Sequence, residues 1–278
     1  MSKTRVLYIS HEMQPYFEMS IAAELGKKLP ASMQTKGMEI RALMPKYGFI
    51  NERRHRLHEV VRLSGINIII GENDHPLTIK VATLPEAKMQ VYFLENEDYF
   101  QRKEAIFSSE GVFFADNHER MTFFCKAVLE TVAKLGWTPD IIHCNGWFTA
   151  LLPVYVRKYY SNHPVFQNAK IVYSVYNNQF EGKLNAGLIA NLESDGIDAT
   201  DIKAFEACTN DSLDLGVAHL VDGLVLAADE VTPELSALVA QKNIPILRHG
   251  STAAINADLV AEYQQFYKTV LAGEPVLV

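Results

Sequence analysis

The sequence predicts an α/β fold: a single Rossmann-like, doubly wound parallel sheet carrying an inserted β-hairpin or meander. Three observations predict it. Residues 5–34 and 138–155 each read as a short apolar strand, a polar loop and an amphipathic helix, the repeating unit of such a sheet. Residues 116–135 carry the plainest helical stripe in the chain and lead straight into the strand at 140–143. Residues 58–94 change to short apolar segments cut by turn residues, with no room for a helix of useful length.

In order, Arg5 to Ile9 supplies the first strand, and Ser10-His11-Glu12-Met13-Gln14-Pro15-Tyr16-Phe17 the loop at its carboxyl end. The spacing of Ala22, Leu25, Leu29 and Met33 predicts a helix over 18–34, kinked at Pro30, which lacks an amide and crowds the preceding turn. Residues 39–44 give a second strand, broken by Pro45-Lys46-Tyr47-Gly48. Apolar segments at 66–70, 77–81 and 89–94 make the insertion. Met121, Phe124, Val128, Leu129 and Val132 share one helical face, and Gly136 stands in the stop position. After the strand at 140–143, Gly146 lets the backbone turn into a helix over 149–160. A strand at 170–176 follows, then short helices in long connections over 183–213. A helix over 216–220, a strand over 223–226, a helix over 232–240 and a helical tail after Asn256 complete the reading.

Composition bounds the function. With 278 residues, 48% of them hydrophobic, the chain can bury a sizeable core. A formal charge of −7 argues against nucleic-acid or anionic-membrane binding, because phosphate attraction needs a basic face. The basic run Arg53-Arg54-His55-Arg56 is more often a solvated loop than a phosphate site. No stretch approaches the roughly 18 apolar residues that span a bilayer, and the first residues lack the features of a signal peptide, so the expected address is the cytoplasm. Cys125, Cys144 and Cys208 are widely spaced without a C-x-x-C pair, which predicts reduced, buried thiols and no metal site.

In an open α/β sheet, side chains and helix amides converge beyond the strand carboxyl ends. The candidate ligand cleft is therefore Glu12, His143, Asn145, Trp147, Tyr176, Asn177, Asn178 and Gln179. Each has a plainer alternative. Glu12 can instead cap the next turn, a lone His such as His143 is more often a satisfied core group, and Trp147 and Tyr176 more often pack in a core. Arg248-His249-Gly250-Ser251 is a weak phosphate-loop pattern that more often marks a turn.

Four stretches in register resemble a known family: Val6-Leu7-Tyr8-Ile9-Ser10-His11-Glu12-Met13-Gln14-Pro15, Met44-Pro45-Lys46-Tyr47-Gly48, Phe114-Ala115-Asp116-Asn117-His118-Glu119-Arg120 and Pro139-Asp140-Ile141-Ile142-His143. They are similar to the N-terminal catalytic domain of bacterial glycogen synthases and plant starch synthases, and the similarity covers roughly residues 4–180. The resemblance implies a GT-B glycosyltransferase, in which two Rossmann-like domains face a cleft and glucose passes from ADP-glucose to an α-1,4-glucan with retention. It implies ADP-glucose as donor substrate and no other cofactor. On this resemblance residues 1–278 make the N-terminal domain alone, without the C-terminal nucleotide-sugar domain.

The family's residues carry over incompletely. Its K-T-G-G-L loop reads Glu18-Met19-Ser20-Ile21-Ala22 here, so Glu18 replaces a lysine near the donor phosphates and both glycines are gone. Gly146 replaces a cleft aspartate and Tyr176 a histidine that sits against the transferred sugar, so no catalytic residue is assigned. Three functions follow as expectations: a degenerate domain, inactive or weakly active alone; an active glucosyltransferase completed by a separate subunit or by dimerisation; or a non-catalytic ligand-binding or scaffold protein. A glucan or small sugar is the expected ligand. A homodimer would protect Tyr47, Phe49, Phe113 and Phe114.

Overall fold

The computed structural model describes residues 3–17, 20–177 and 180–273. Glu18, Asn178 and Gln179, named above, lie outside the described residues. The strands are β1 (Arg5–Ser10), β2 (Glu39–Pro45), β3 (His58–Glu59), β4 (Ile66–Ile70), β5 (Asn73–Leu84), β6 (Met89–Glu95), β7 (Ile141–Asn145), β8 (Lys170–Tyr176), β9 (Gly223–Ala227) and β10 (Ile246–His249). The order β10-β9-β8-β7-β1-β2-β6 is parallel at every pairing. β5 then adds antiparallel to β6, with β3 beyond it and β4 folded back as a hairpin. From β1 the chain winds one way through β2 and β6 and the other way through β7 to β10. The reversal lies between β1 and β7, the place where such sheets open a crevice at their carboxyl ends.

The helices are α1 (Ile21–Thr35), α2 (Glu52–His55), α3 (Glu97–Phe100), α4 (Asn117–Leu135), α5 (Leu151–Val154), α6 (Gly187–Ser194), α7 (Ala199–Ile202), α8 (Asn210–Ala218), α9 (Pro233–Gln241) and α10 (Ala257–Ala272). They cover the sheet, so β7 and β9 are buried along their whole length, as parallel strands are when helices lie over them. α4 keeps its expected extent because its apolar face packs inward and Gly136, at φ 62°, accepts the left-handed turn that ends it.

Several expectations are revised. α1 runs through Pro30 as one helix and starts after Ser20, whose hydroxyl caps it by accepting the Ala23 amide at 2.9 Å. The insertion is β3 to β5 only, because β6 joins β2 as a parallel strand. The expected helix at 149–160 is a 3₁₀ turn (Trp147–Thr149), the short α5 and a π turn (Tyr155–Tyr159). β10 was not legible, since a strand of four residues leaves little periodicity. Tyr47 is fully buried, so it cannot belong to a dimer surface; Phe49, 39% exposed, stacks on it at 5.3 Å.

Other readings stand as placed. Of the basic run, Arg53 and Arg54 lie in α2 and Arg56 follows it, all three exposed, and all three cysteines are buried free thiols. No described helix is long and apolar enough to cross a membrane.

Candidate functional site

A cleft of about 800 Å³ opens at the carboxyl ends of β1, β8, β9 and β10. His11 and Glu12 follow β1, Ser20, Ala22 and Leu25 come from the start of α1, and Tyr176 and Asn177 end β8. The turn after β10 supplies His249 and Ser251, and α10 contributes Leu259. The far wall is the segment 105–109. No Lys or Arg lines the cleft among the described residues.

The 114–120 motif explains that wall. Asp116 pairs with Arg102, Asn117 donates to the Ile106 carbonyl at 2.9 Å, and Arg120 donates to the Tyr99 carbonyl and to Asn117 Oδ1, both at 2.7 Å. Arg120 is itself fully buried, with its guanidinium over Phe100 and Phe114. Its charge is thus spent on pinning the loop before α4, and that loop closes one side of the cleft.

Two carboxylates of the chain occupy the cleft's donors. Glu12 is buried, and the Ser20 hydroxyl that caps α1 donates to it. A carboxylate therefore stands at the amino end of α1, where the helix dipole favours negative charge and where a phosphate would otherwise bind. After β10, the Ser251 amide donates to Asp229 Oδ1 at 3.0 Å and its hydroxyl to Oδ2. These bonds hold the Asp229 carboxyl below the usual range. The 248–251 turn thus has its free amide engaged by its own chain.

His11 is buried beside Glu12, with Nε2 3.7 Å from Glu12 Oε1 and Nδ1 without a hydrogen-bond partner among the described residues. Burial lowers its pKa, Glu12 pulls it back up, and Arg120 lowers it further. A neutral imidazole with one open nitrogen can accept from, or donate to, a ligand hydroxyl.

The remaining sequence candidates lie beneath the cleft. His143 is fully buried, with Nδ1 on the Tyr267 hydroxyl and Nε2 2.7 Å from Ser174 Oγ, and burial pushes its pKa down to about 3. Asn145 Oδ1 accepts from the hydroxyls of Tyr8 at 3.1 Å and Tyr176 at 3.2 Å, while its amide donates to the Ile9 and His143 carbonyls. Trp147 is fully buried among His11, Phe113 and Phe180. His143, Asn145 and Trp147 do not line the cleft; Glu12, Tyr176 and Asn177 do. Gly146, at φ 74°, holds a backbone conformation that disfavours any side chain, which accounts for glycine at this turn. Burial first, then the Glu12 charge, raises the Tyr176 pKa, so it stays a neutral phenol.

Sequence reasoning missed His11 and Ser20 as cleft residues, and named His249 and Ser251 only within a weak phosphate-loop pattern. The neighbour of Glu12 was the available signal for His11. The 248–251 turn was marked, but not that His249 ends a strand at the cleft, because β10 went unread. No group of three or more His, Cys, Asp or Glu side chains among the described residues is placed to hold a metal ion.

The chain matches the starch synthase catalytic domain family over residues 5–233. It is 39% identical over 223 residues to a glycogen synthase of Chlorobaculum parvum, covering 75% of this chain and 46% of that protein. It is 42% identical over 181 residues to one of Chlorobium chlorochromatii, covering 64% and 37%. The chain thus spans about half or less of the length of these relatives. The catalytic domain of starch synthase IV from Arabidopsis thaliana, solved with ADP and acarbose, superposes with a TM-score of 0.72 at 21% identity, covering 88% of this chain and 52% of that one. That likeness gives the fold, a mixed α/β domain with a mostly parallel central sheet of the GT-B type.

Proposed function

Because the chain belongs to the starch synthase catalytic domain family, we propose that it is a glucosyltransferase-type domain that keeps the fold and a sugar-facing cleft but does not by itself transfer glucose from ADP-glucose. The observation that carries this reading is the sequence at the start of α1, where Glu18-Met19-Ser20-Ile21-Ala22 stands in place of the family's K-T-G-G-L. With a carboxylate in place of the lysine and no glycines, a nucleotide diphosphate there gains no cation and meets added negative charge, a repulsion of roughly a kcal/mol or more. The absence of Lys and Arg from the described lining, and the exchange of a family histidine for Tyr176, weigh the same way.

The ligand that suits the cleft is a neutral sugar or short glucan. Its hydroxyls would meet His11, Tyr176, Asn177 and Ser251, with apolar patches such as Leu25 and Ile106 under its carbon face. The proposed setting is the cytoplasm. Calorimetry of the purified chain with ADP, ADP-glucose and maltooligosaccharides, together with a glucose-incorporation assay, tests it. Maltooligosaccharide binding without turnover is the expected result, and measurable glucose transfer overturns the proposal.

A further inference from the structure

A second pocket, of about 310 Å³, opens beside the cleft at the carboxyl ends of β8 and β9 and shares Tyr176 and Asn177 with it. Its charged lining is of one sign: Asp211 and Asp214 on α8 and Glu230 after β9, with no Lys, Arg or His among the described residues. Asp211 sits in the first turn of α8, where the helix dipole favours negative charge. Asp214 is buried, and its partners are neutral: the Tyr173 hydroxyl donates to Oδ1 at 2.7 Å and Asn210 Nδ2 to Oδ2 at 3.1 Å. Asn210, also lining the pocket and only 7% exposed, leaves its Oδ1 with no hydrogen-bond partner among the described residues.

Two unmet needs therefore coincide: a buried acceptor without a donor and a buried carboxyl without a counter-charge. Either is destabilising when left unmet in an interior. We propose that this pocket binds a small organic ammonium ion, its N–H groups reaching Asn210 Oδ1 and the Asp214 carboxylate and its carbon skeleton lying against Val231, Pro233 and Leu235. An ammonium supplies three donors and no acceptor, which matches a lining rich in acceptors. The carboxylates form no metal-holding cluster, and the volume falls at the lower end of small-molecule sites, too roomy for a bare ion.

The site has a built-in pH response. Burial raises the Asp214 carboxyl to about 7, the Tyr173 and Asn210 hydrogen bonds lower it, and Asp211 raises it. The titratable groups around it are Tyr173 on β8, Asp211 on its own helix, Glu230 after β9 and Tyr176 at the rim. A bound cation favours the ionised form, so below neutral pH binding releases a proton.

The site is independent of the transferase reading, and the ADP-glucose assay can fail without touching it. Calorimetry on the full chain compares putrescine with 1,4-butanediol, which has the same carbon skeleton without charge. Putrescine is expected to bind and butanediol not, with putrescine about five- to tenfold tighter at pH 8 than at pH 6 as Asp214 ionises. Asp214→Asn should weaken putrescine at least about tenfold and flatten the pH response. Glu230→Lys, at an exposed position that spares the fold, should abolish binding. Failure of putrescine to bind, equal binding of the diol, or wild-type affinity in Glu230→Lys overturns the proposal.

Discussion

Strands β1 and β7 lie side by side where the sheet's strand order reverses, and each has a histidine nearby, His143 in the middle of β7 and His11 just beyond the carboxyl end of β1. His143 at β7 has both ring nitrogens engaged, by Tyr267 from α10 and Ser174 from β8, and faces the interior. His11 beyond β1 packs against Trp147 and Phe148 but keeps Nδ1 open and lines the cleft. Burial lowers both pKa values, so charge does not separate them; their partners do. A polar residue inside a strand serves structure when a helix folds over it, while one in the loop beyond a strand can serve a ligand.

The largest consequence concerns stability. His143→Phe keeps a ring of similar size but strands the Tyr267 and Ser174 hydroxyls, and is expected to cost about 2–4 kcal/mol in urea unfolding. His11→Phe should cost less than about 1 kcal/mol, because one of its nitrogens has no protein bond to lose. Equal costs for the two variants would dissolve the distinction between the strand ends.

The next effect is the pH profile. His143 titrates at about 3 when folded against 6.5 when free, so below pH 6.5 the unfolded chain takes up a proton that the folded chain refuses. The His143 contribution is complete above 6.5 and is lost as pH falls toward 3, about 2 kcal/mol of it by pH 5. Asp214 has the opposite sign, near 7 folded against 3.8 free, so its contribution is full below 3.8 and is lost as pH rises through 7. Unfolding midpoints from pH 4 to 8 should show His143→Phe losing the acid-side slope while His11→Phe loses less of it.

Smaller effects belong to the β1 side. Ser20→Ala removes the α1 cap and should cost about 1 kcal/mol by thermal melting. It also frees the Glu12 carboxylate. Glu12→Gln removes the charge at the amino end of α1 and should tighten ADP binding several-fold by calorimetry. Unchanged ADP affinity in that variant would show that Glu12 does not guard the site.

Much of the fold was legible. Strands β1, β2, β7, β8 and β9 and helix α4 are long or apolar enough for periodicity to mark them, and the 114–120 and 139–143 stretches pointed to the family that the comparisons found. The four-residue β10 and the 3₁₀ and π turns around α5 were not, because short elements are decided by what packs on them. Of the candidate site, Glu12, Tyr176 and Asn177 face the cleft, while Arg120, quoted only as part of a motif, proved to anchor the cleft wall.

What the sequence determined by itself was the alternation of strand and helix and the departures at Glu18, Gly146 and Tyr176, all of them local or read against a pattern. Only the tertiary structure decided which strand-end groups look outward. His143 is withdrawn by a tyrosine 124 residues away, and the Ser251 turn is occupied by a carboxylate 22 residues back. Such contacts depend on where helices and loops settle on the finished sheet, and local periodicity carries no record of that.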